Sequence, residues 1–356
     1  AGQLFVVPIT VVAVVIVLAW RNEAWVAGPA FVALFISIFS LLRQFKVRNL
    51  TAEMALRLGV VEHGAYSLSL KDIWRWLLVL RCERRGINII RDVAYGDLSA
   101  QRLDIYALAG HAEPKPILID IHGGAWVTGK KGQMGRPLVH DMAQQGWLVC
   151  DIEYRLGPEH RYPAMIVDVL SAIHWIKTNA EQYGGRGDFV AVTGGSAGGH
   201  LTALTGLMSA DQRREYVDGD TSVQLVAPFY GRYDLLDRFG IINDPKIDEF
   251  TESKVMPGAV EQVGEALWRQ ASPIDNVGPH MPSCLMVHGS SDCLIDYKEA
   301  EAFVNAQAAL SVNDFEYLLV PGAQHAFDLG HCPQSDAVNR LIQMYFEKCY
   351  RDFCKV

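Results

Sequence analysis

Two glycine-dense stretches hold the residues best suited to chemistry: AVTGGSAGGH at 191–200 and IHGGAW at 121–126. Within the first, Gly194-Gly195-Ser196-Ala197-Gly198 fits G-x-S-x-G, with the strand-like run FVAVTGG before it and a helix-like run after it. A serine on such a strand-to-helix turn is lifted above a sheet, and only small neighbours let the backbone pass close by. The helix that follows offers unpaired N–H groups to developing negative charge. The second stretch follows the apolar run PILIDI, where backbone N–H groups of Gly123, Gly124 and Ala125 could cradle an oxyanion, with Ala197 completing the set. His122, inside that loop, is placed for a structural hydrogen bond rather than for proton transfer.

A serine hydroxyl is a poor nucleophile unless a base takes its proton and a carboxylate orients that base. Both partners follow Ser196 at the ends of strand-like runs. Asp292 lies in VHGSSDCLID after SCLMVHGS, and His325 lies in VPGAQHAFD after FEYLLV. Asp296 is a rival that begins the next helix, and Asp328 comes after the histidine. His288 belongs to strand packing, and His63, His200 and His331 lack a comparable setting. The chemistry these residues fit is acyl transfer, in which His325 deprotonates Ser196 and the loop N–H groups hold the oxyanion. It calls for no metal and no organic cofactor.

These residues need a scaffold that brings distant strand ends together. From residue 87 onward the chain alternates short apolar runs with amphipathic helical patterns, starting with a hairpin made of INIIRDVAYG and QRLDIYAL. PILIDIH, WLVCDIEY, FVAVTGG, SCLMVHGS and FEYLLVPG read as buried strands, with helices between them. The fold class is therefore α/β, with a mostly parallel sheet covered on both faces. Residues 231–275 interrupt the rhythm with helical pieces and turns, as an insertion that caps a pocket. Residues 44–86 read as an N-terminal helical region, with start signals at Thr51 and Glu53 and at Ser69 and Asp72. The expected organisation is a hairpin at 1–43, the helical cap region at 44–86, and a catalytic domain at 87–356 that includes the 231–275 insertion.

The hairpin expectation comes from two uncharged runs, Leu4–Trp20 and Ala24–Leu42, separated by RNE. Each is close to the roughly 20 residues an apolar helix needs to cross a bilayer. Trp20 and Trp25 flank the turn as interfacial aromatics do, and Pro8 and Pro29 lie near the starts of the runs. Arg43, Lys46, Arg48 and Arg57 follow the second run, whereas the turn holds Arg21, which places the body of the protein on the cytoplasmic side. A pair of buried core helices, or a hairpin dipping into one leaflet, would use the same residues. The formal net charge of -8, without a long basic run, argues against a nucleic-acid partner. Seven cysteines without a CxxC pair fit free thiols in a reducing compartment.

HGGAW, EYRLGPEHRYPA at 153–164, GGSAGGH and SDCLID occur in that order, and together the chain resembles the hormone-sensitive-lipase-like branch of the α/β-hydrolases over roughly residues 85 to 350. The resemblance implies an eight-stranded sheet with a cap and hydrolysis of carboxylic esters by Ser196, His325 and Asp292. Ala125 stands where the family has a third loop glycine, and Cys293 where it has a proline after the acid. The resemblance also implies that Tyr154, Arg155, Glu159 and His160 brace the loop beside the site. The expected substrate is a lipophilic ester delivered from the membrane. An amidase or deacetylase on the same triad, or a non-catalytic ligand-binding membrane protein on this fold, are the alternatives, and self-association through the hairpin is open.

Overall fold

The computed structural model describes residues 39, 43–60, 69–110 and 114–355. Its centre is an eight-stranded sheet in the order β1-β2-β4-β3-β5-β6-β7-β8. Strands β1 (Ile87–Ala94) and β2 (Arg102–Leu108) form the expected hairpin at one edge, and β2 also runs antiparallel to β4 (Leu148–Ile152). Strands β3 (Lys115–Ile121), β4, β5 (Gly185–Gly195), β6 (Leu225–Phe229), β7 (Ser283–Gly289) and β8 (Phe315–Val320) are parallel, so their C-terminal ends gather on one edge of the layer. The central strands are continuous apolar runs because both of their faces are covered. Ile117, Ile119 and Ile121 of β3 point to one side of the sheet, and Leu118 to the other.

On the first face lie helices α3 (Ala164–Asn179), α4 (Ala197–Leu207) and α7 (Tyr297–Ala308). The second face is covered by α2 (Arg136–Gln144), α8 (Pro333–Phe353) and the helical segment 43–57, which adds Val47, Met54 and Ala55 to that core. The 231–275 insertion falls between β6 and β7. It contains short helices α5 (Pro245–Phe250) and α6 (Glu265–Ala271), with no strand. Buried Glu299 of α7 anchors its start by accepting hydrogen bonds from the N–H groups of Tyr233 (2.5 Å) and Asp234 (2.9 Å) and pairing with Arg232 at 3.2 Å.

Two features of the N-terminal region differ from expectation. Helix α1 (Leu70–Leu77) starts at the Ser69–Asp72 capping box, as its sequence predicts, but stops well before residue 86. Tertiary contacts override the helical pattern there. The Val79 carbonyl accepts from the His331 N–H, Cys82 is buried, and Arg84 reaches Asp141. Thr51 and Glu53 lie inside the 43–57 helix rather than at its start, and the Thr51 hydroxyl donates back to the Arg48 carbonyl at 3.1 Å. The apolar hairpin expected over 1–43 lies almost entirely outside the described residues. Among the described residues, no helix is long and apolar enough to cross a membrane.

Candidate active site

Parallel strands deliver one loop each to the same edge, and four of these loops carry the predicted residues. The loop after β3 carries His122, Gly123, Gly124 and Ala125; β5 ends at Ser196; the loop after β7 carries Asp292; the loop after β8 carries His325. His325 Nε2 lies 2.9 Å from Ser196 Oγ, and His325 Nδ1 lies 2.7 Å from Asp292 Oδ2. The three side chains thus form a continuous relay, with the imidazole oriented by a carboxylate on one nitrogen and facing a hydroxyl on the other.

Ser196 is held at φ 60° and ψ -119°, a conformation an L-residue rarely adopts. The turn closes because its glycines have no Cβ. One added at Gly198 would sit 1.9 Å from the Ile121 carbonyl oxygen, and one at Gly194 would sit 2.5 Å from it. The Ser196 N–H donates to the Phe229 carbonyl at 3.0 Å, which ties the turn to the end of β6.

The Asp292 side chain is buried, and each of its oxygens is occupied. Oδ1 accepts from the N–H groups of Leu294 (2.9 Å) and Ile295 (3.0 Å), while Oδ2 faces His325 and, at 3.4 Å, His288 Nε2. Burial alone would raise its pKa. The hydrogen bonds from His288 and His325 outweigh burial and hold the carboxyl well below the usual carboxylate range. It is therefore an anion beside the imidazole. Asp296 instead caps α7, accepting from the Lys298 N–H at 3.0 Å, and Asp328 accepts a hydrogen bond from the Tyr230 hydroxyl.

In the HGGAW loop, Ala125 (φ 52°) and Trp126 (φ 61°) are both left-handed, so the non-glycine residue that replaces the usual third glycine is held there under strain. Among the described residues, the Gly124 and Ala125 N–H groups have no acceptor, and the Ala197 N–H opens α4, where a helix has no internal partner for it. The Gly123 N–H donates to the Met134 sulfur at 3.3 Å. Three of the four expected oxyanion donors therefore remain unengaged. His122 bonds the Gly123 carbonyl through Nδ1 at 2.7 Å and stacks on Tyr154 with ring centroids 4.4 Å apart. Burial draws its pKa down to about 4, so it is a neutral structural ring.

The expected bracing of this loop is only partly met. The Tyr154 hydroxyl donates to the His122 carbonyl at 2.9 Å, and Arg155 grips buried Asp168 through Nε and Nη2, both at 2.8 Å. Glu159 and His160 are exposed, and neither side chain makes a hydrogen bond or ion pair among the described residues. Glu159 is thus corrected from a bracing residue to a surface one. Asp168, on the buried face of α3, supplies the carboxylate that Arg155 needs.

Two site residues were not foreseen. Tyr230, directly after β6, lays its ring against His325 with centroids 4.8 Å apart. Its position at the end of a parallel strand was the available signal. His200 on α4 accepts from Trp126 Nε1 at 3.1 Å and donates from Nε2 to the Ala271 carbonyl at 2.8 Å. It joins the HGGAW loop, the helix behind Ser196 and the 231–275 insertion. Its place inside G-x-S-x-G-G-H was legible, but its partners come from segments far along the chain.

The BD-FAE family model matches residues 103–306. Esterase LipC of Mycobacterium tuberculosis is 39% identical over 265 residues, which cover 73% of this chain and 65% of that protein. The probable carboxylic ester hydrolase LipM of the same organism is 36% identical, over 69% of this chain and 59% of that protein. The chain thus spans less than two thirds of the length of these relatives. Among solved structures, esterase B from Lactobacillus rhamnosis has the same fold, with a TM-score of 0.65 at 21% identity, over 87% of this chain and 97% of that one. With more than half of its length matched, in agreement with the hormone-sensitive-lipase-like resemblance of its motifs, the chain belongs to the BD-FAE family.

Proposed function

We propose that this protein is a serine carboxylesterase acting on lipophilic esters, with Ser196 as nucleophile, His325 as general base and then acid, and Asp292 as its anionic partner. The observation that carries the proposal is the relay from Asp292 through His325 to the strained hydroxyl of Ser196. His325 takes the Ser196 proton as the oxygen attacks the ester carbonyl. The N–H groups of Gly124, Ala125 and Ala197 receive the oxyanion. His325 then returns the proton to the departing alcohol. Water, deprotonated by the same imidazole, releases the acid from the acyl-enzyme. The names of the relatives support an ester bond as the target. Apolar side chains of the insertion, and the apolar runs Leu4–Trp20 and Ala24–Leu42, support a lipophilic substrate reached at a membrane, with the hairpin as anchor.

A fluorophosphonate probe should label the wild-type chain and leave Ser196→Ala unlabelled. Ester turnover in that variant should fall by at least about a thousandfold with the fold intact. Labelling or turnover that survives the substitution removes Ser196 from the mechanism. Across p-nitrophenyl esters, medium chains should outrun acetate, and the reverse order removes the lipophilic part of the proposal.

A further inference from the structure

Helix α1 is assembled inside out. Leu70, Ile73, Trp74 and Leu77 fall at i, i+3, i+4 and i+7 and form one apolar stripe, the side that a surface helix normally turns inward. Here that stripe faces solvent, with Leu70 77% and Trp74 64% exposed. The opposite side is docked by polar contacts instead. Asp72 accepts from Arg340 at 2.6 Å, and Trp76 Nε1 donates to Asp336 at 2.9 Å, so α8 fixes which way the helix faces. Leu78 and Leu80 extend the exposed stripe beyond the helix end. An apolar surface of this extent, held outward by specific bonds, marks a contact rather than a packing accident.

We propose that this face of α1 lies in the interfacial layer of an anionic lipid bilayer and turns the candidate active site toward it. Three observations select lipid as the occupant. The apolar run Ala24–Leu42 directly precedes residue 43 in the sequence, and the helical segment 43–57 meets α1 through Phe45 against Trp76, with ring centroids 5.6 Å apart. The segment bearing the stripe is net basic at its surface, with Lys71, Arg81 and Arg85 exposed against the single exposed acid Glu83, as an interfacial helix on acidic headgroups requires. The segment just after α1 also meets the loop that carries His325, through its buried face. Gly330 packs so closely on Val79 that a Cβ there would sit 2.8 Å from the Val79 side chain and carbonyl, and its neighbour Leu329, partly exposed, belongs to the loop that carries His325. A tryptophan at headgroup depth beside the catalytic loop would place the site mouth where a lipophilic ester resides. This inference rests on the proposed esterase reading for its consequence, but not for its geometry.

The test uses the full chain reconstituted in phosphatidylcholine vesicles containing phosphatidylglycerol. Brominated lipid should quench wild-type tryptophan fluorescence more than that of Trp74→Phe, and this readout is independent of catalysis. Equal quenching means that Trp74 is covered by this chain's own residues or by a second copy, and overturns the proposal. In the double variant Leu70→Glu, Trp74→Glu, turnover of an ester dissolved in the vesicles should fall at least tenfold. Turnover of p-nitrophenyl acetate in detergent should stay within twofold. Unchanged vesicle turnover overturns the proposal, and so does equal loss in both assays, which would make the stripe internal packing. If Ser196→Ala keeps its activity while the quenching difference stands, the esterase assignment fails and the docking face remains.

Discussion

At the residue scale, backbone strain concentrates at the candidate site. Of the eight non-glycine residues with positive φ among the described residues, Ala125, Trp126, Ser196, Tyr230 and Ala326 all belong to the loops that converge there. Each costs on the order of 1–3 kcal/mol and persists only where its surroundings over-determine it. His200 is part of that enforcement. Its burial, opposed only weakly by the bond to Ala271, draws its pKa down to about 4. The sign of the linkage follows from this depression. Below about pH 6.5 the unfolded chain binds a proton at this histidine, whereas the folded chain does so only near pH 4, so stability is lost as the pH falls through that window. His200→Gln should be destabilised at pH 7, because the bond from Trp126 is lost. The gap to wild type should narrow by about 2–3 kcal/mol at pH 4.5, read from urea unfolding at the two pH values. A gap that stays constant or widens would mean that His200 carries a proton in the folded state.

At the scale of elements, the strand ends position the chemistry and the loops between them are held by a few buried polar bonds. Arg155 and Asp168 are the clearest of these, since Asp168 is wholly buried and also accepts from Gln101 at 2.7 Å and from the Arg155 N–H at 2.9 Å. Arg155→Ala leaves that carboxylate without its cation. It should cost about 3–5 kcal/mol in chemical denaturation, and lower turnover through the loop that carries Tyr154. The double variant Arg155→Met, Asp168→Leu should recover part of the stability, which would separate an unpaired charge from lost packing. The same comparison explains what could be read in advance. Ser196, Asp292 and His325 announce themselves because each follows an apolar run, and parallel strands bring their ends together whatever lies between them. Apolar patterning gave seven of the eight strands and most helices for the same reason, but not the five-residue β6 (Leu225–Phe229). It failed at residues 78–86, where the pattern is helical but Val79 bonds to His331 in the loop before α8, Cys82 is buried and Arg84 pairs with Asp141 of α2. The resemblance placed Glu159 among the bracing residues and did not point to Asp168. Which carboxylate pairs with Arg155 depends on how α3 packs, and local spacing does not encode that.

At the scale of the whole molecule, the described residues form an α/β layer with an exposed apolar stripe on α1, and the two apolar runs precede them in the sequence. The basic residues after Leu42, Arg43, Lys46, Arg48 and Arg57, outnumber the single Arg21 between the runs. On the proposed membrane anchor, the positive-inside rule predicts the sheet and its site on the cytoplasmic side. Cys293 and Cys354 are exposed thiols on that body, whereas Cys82, Cys150, Cys284 and Cys332 are buried. A membrane-impermeant maleimide should therefore leave the full chain unlabelled in intact cells and label it in inverted vesicles, and an alkaline carbonate wash should leave the chain in the pellet. Replacing both exposed thiols, Cys293→Ser with Cys354→Ser, should abolish the labelling in inverted vesicles and keep the carbonate resistance. Labelling of intact cells would reverse the orientation. Release by carbonate would make the association peripheral and leave the α1 stripe, rather than the N-terminal runs, as the principal contact with lipid.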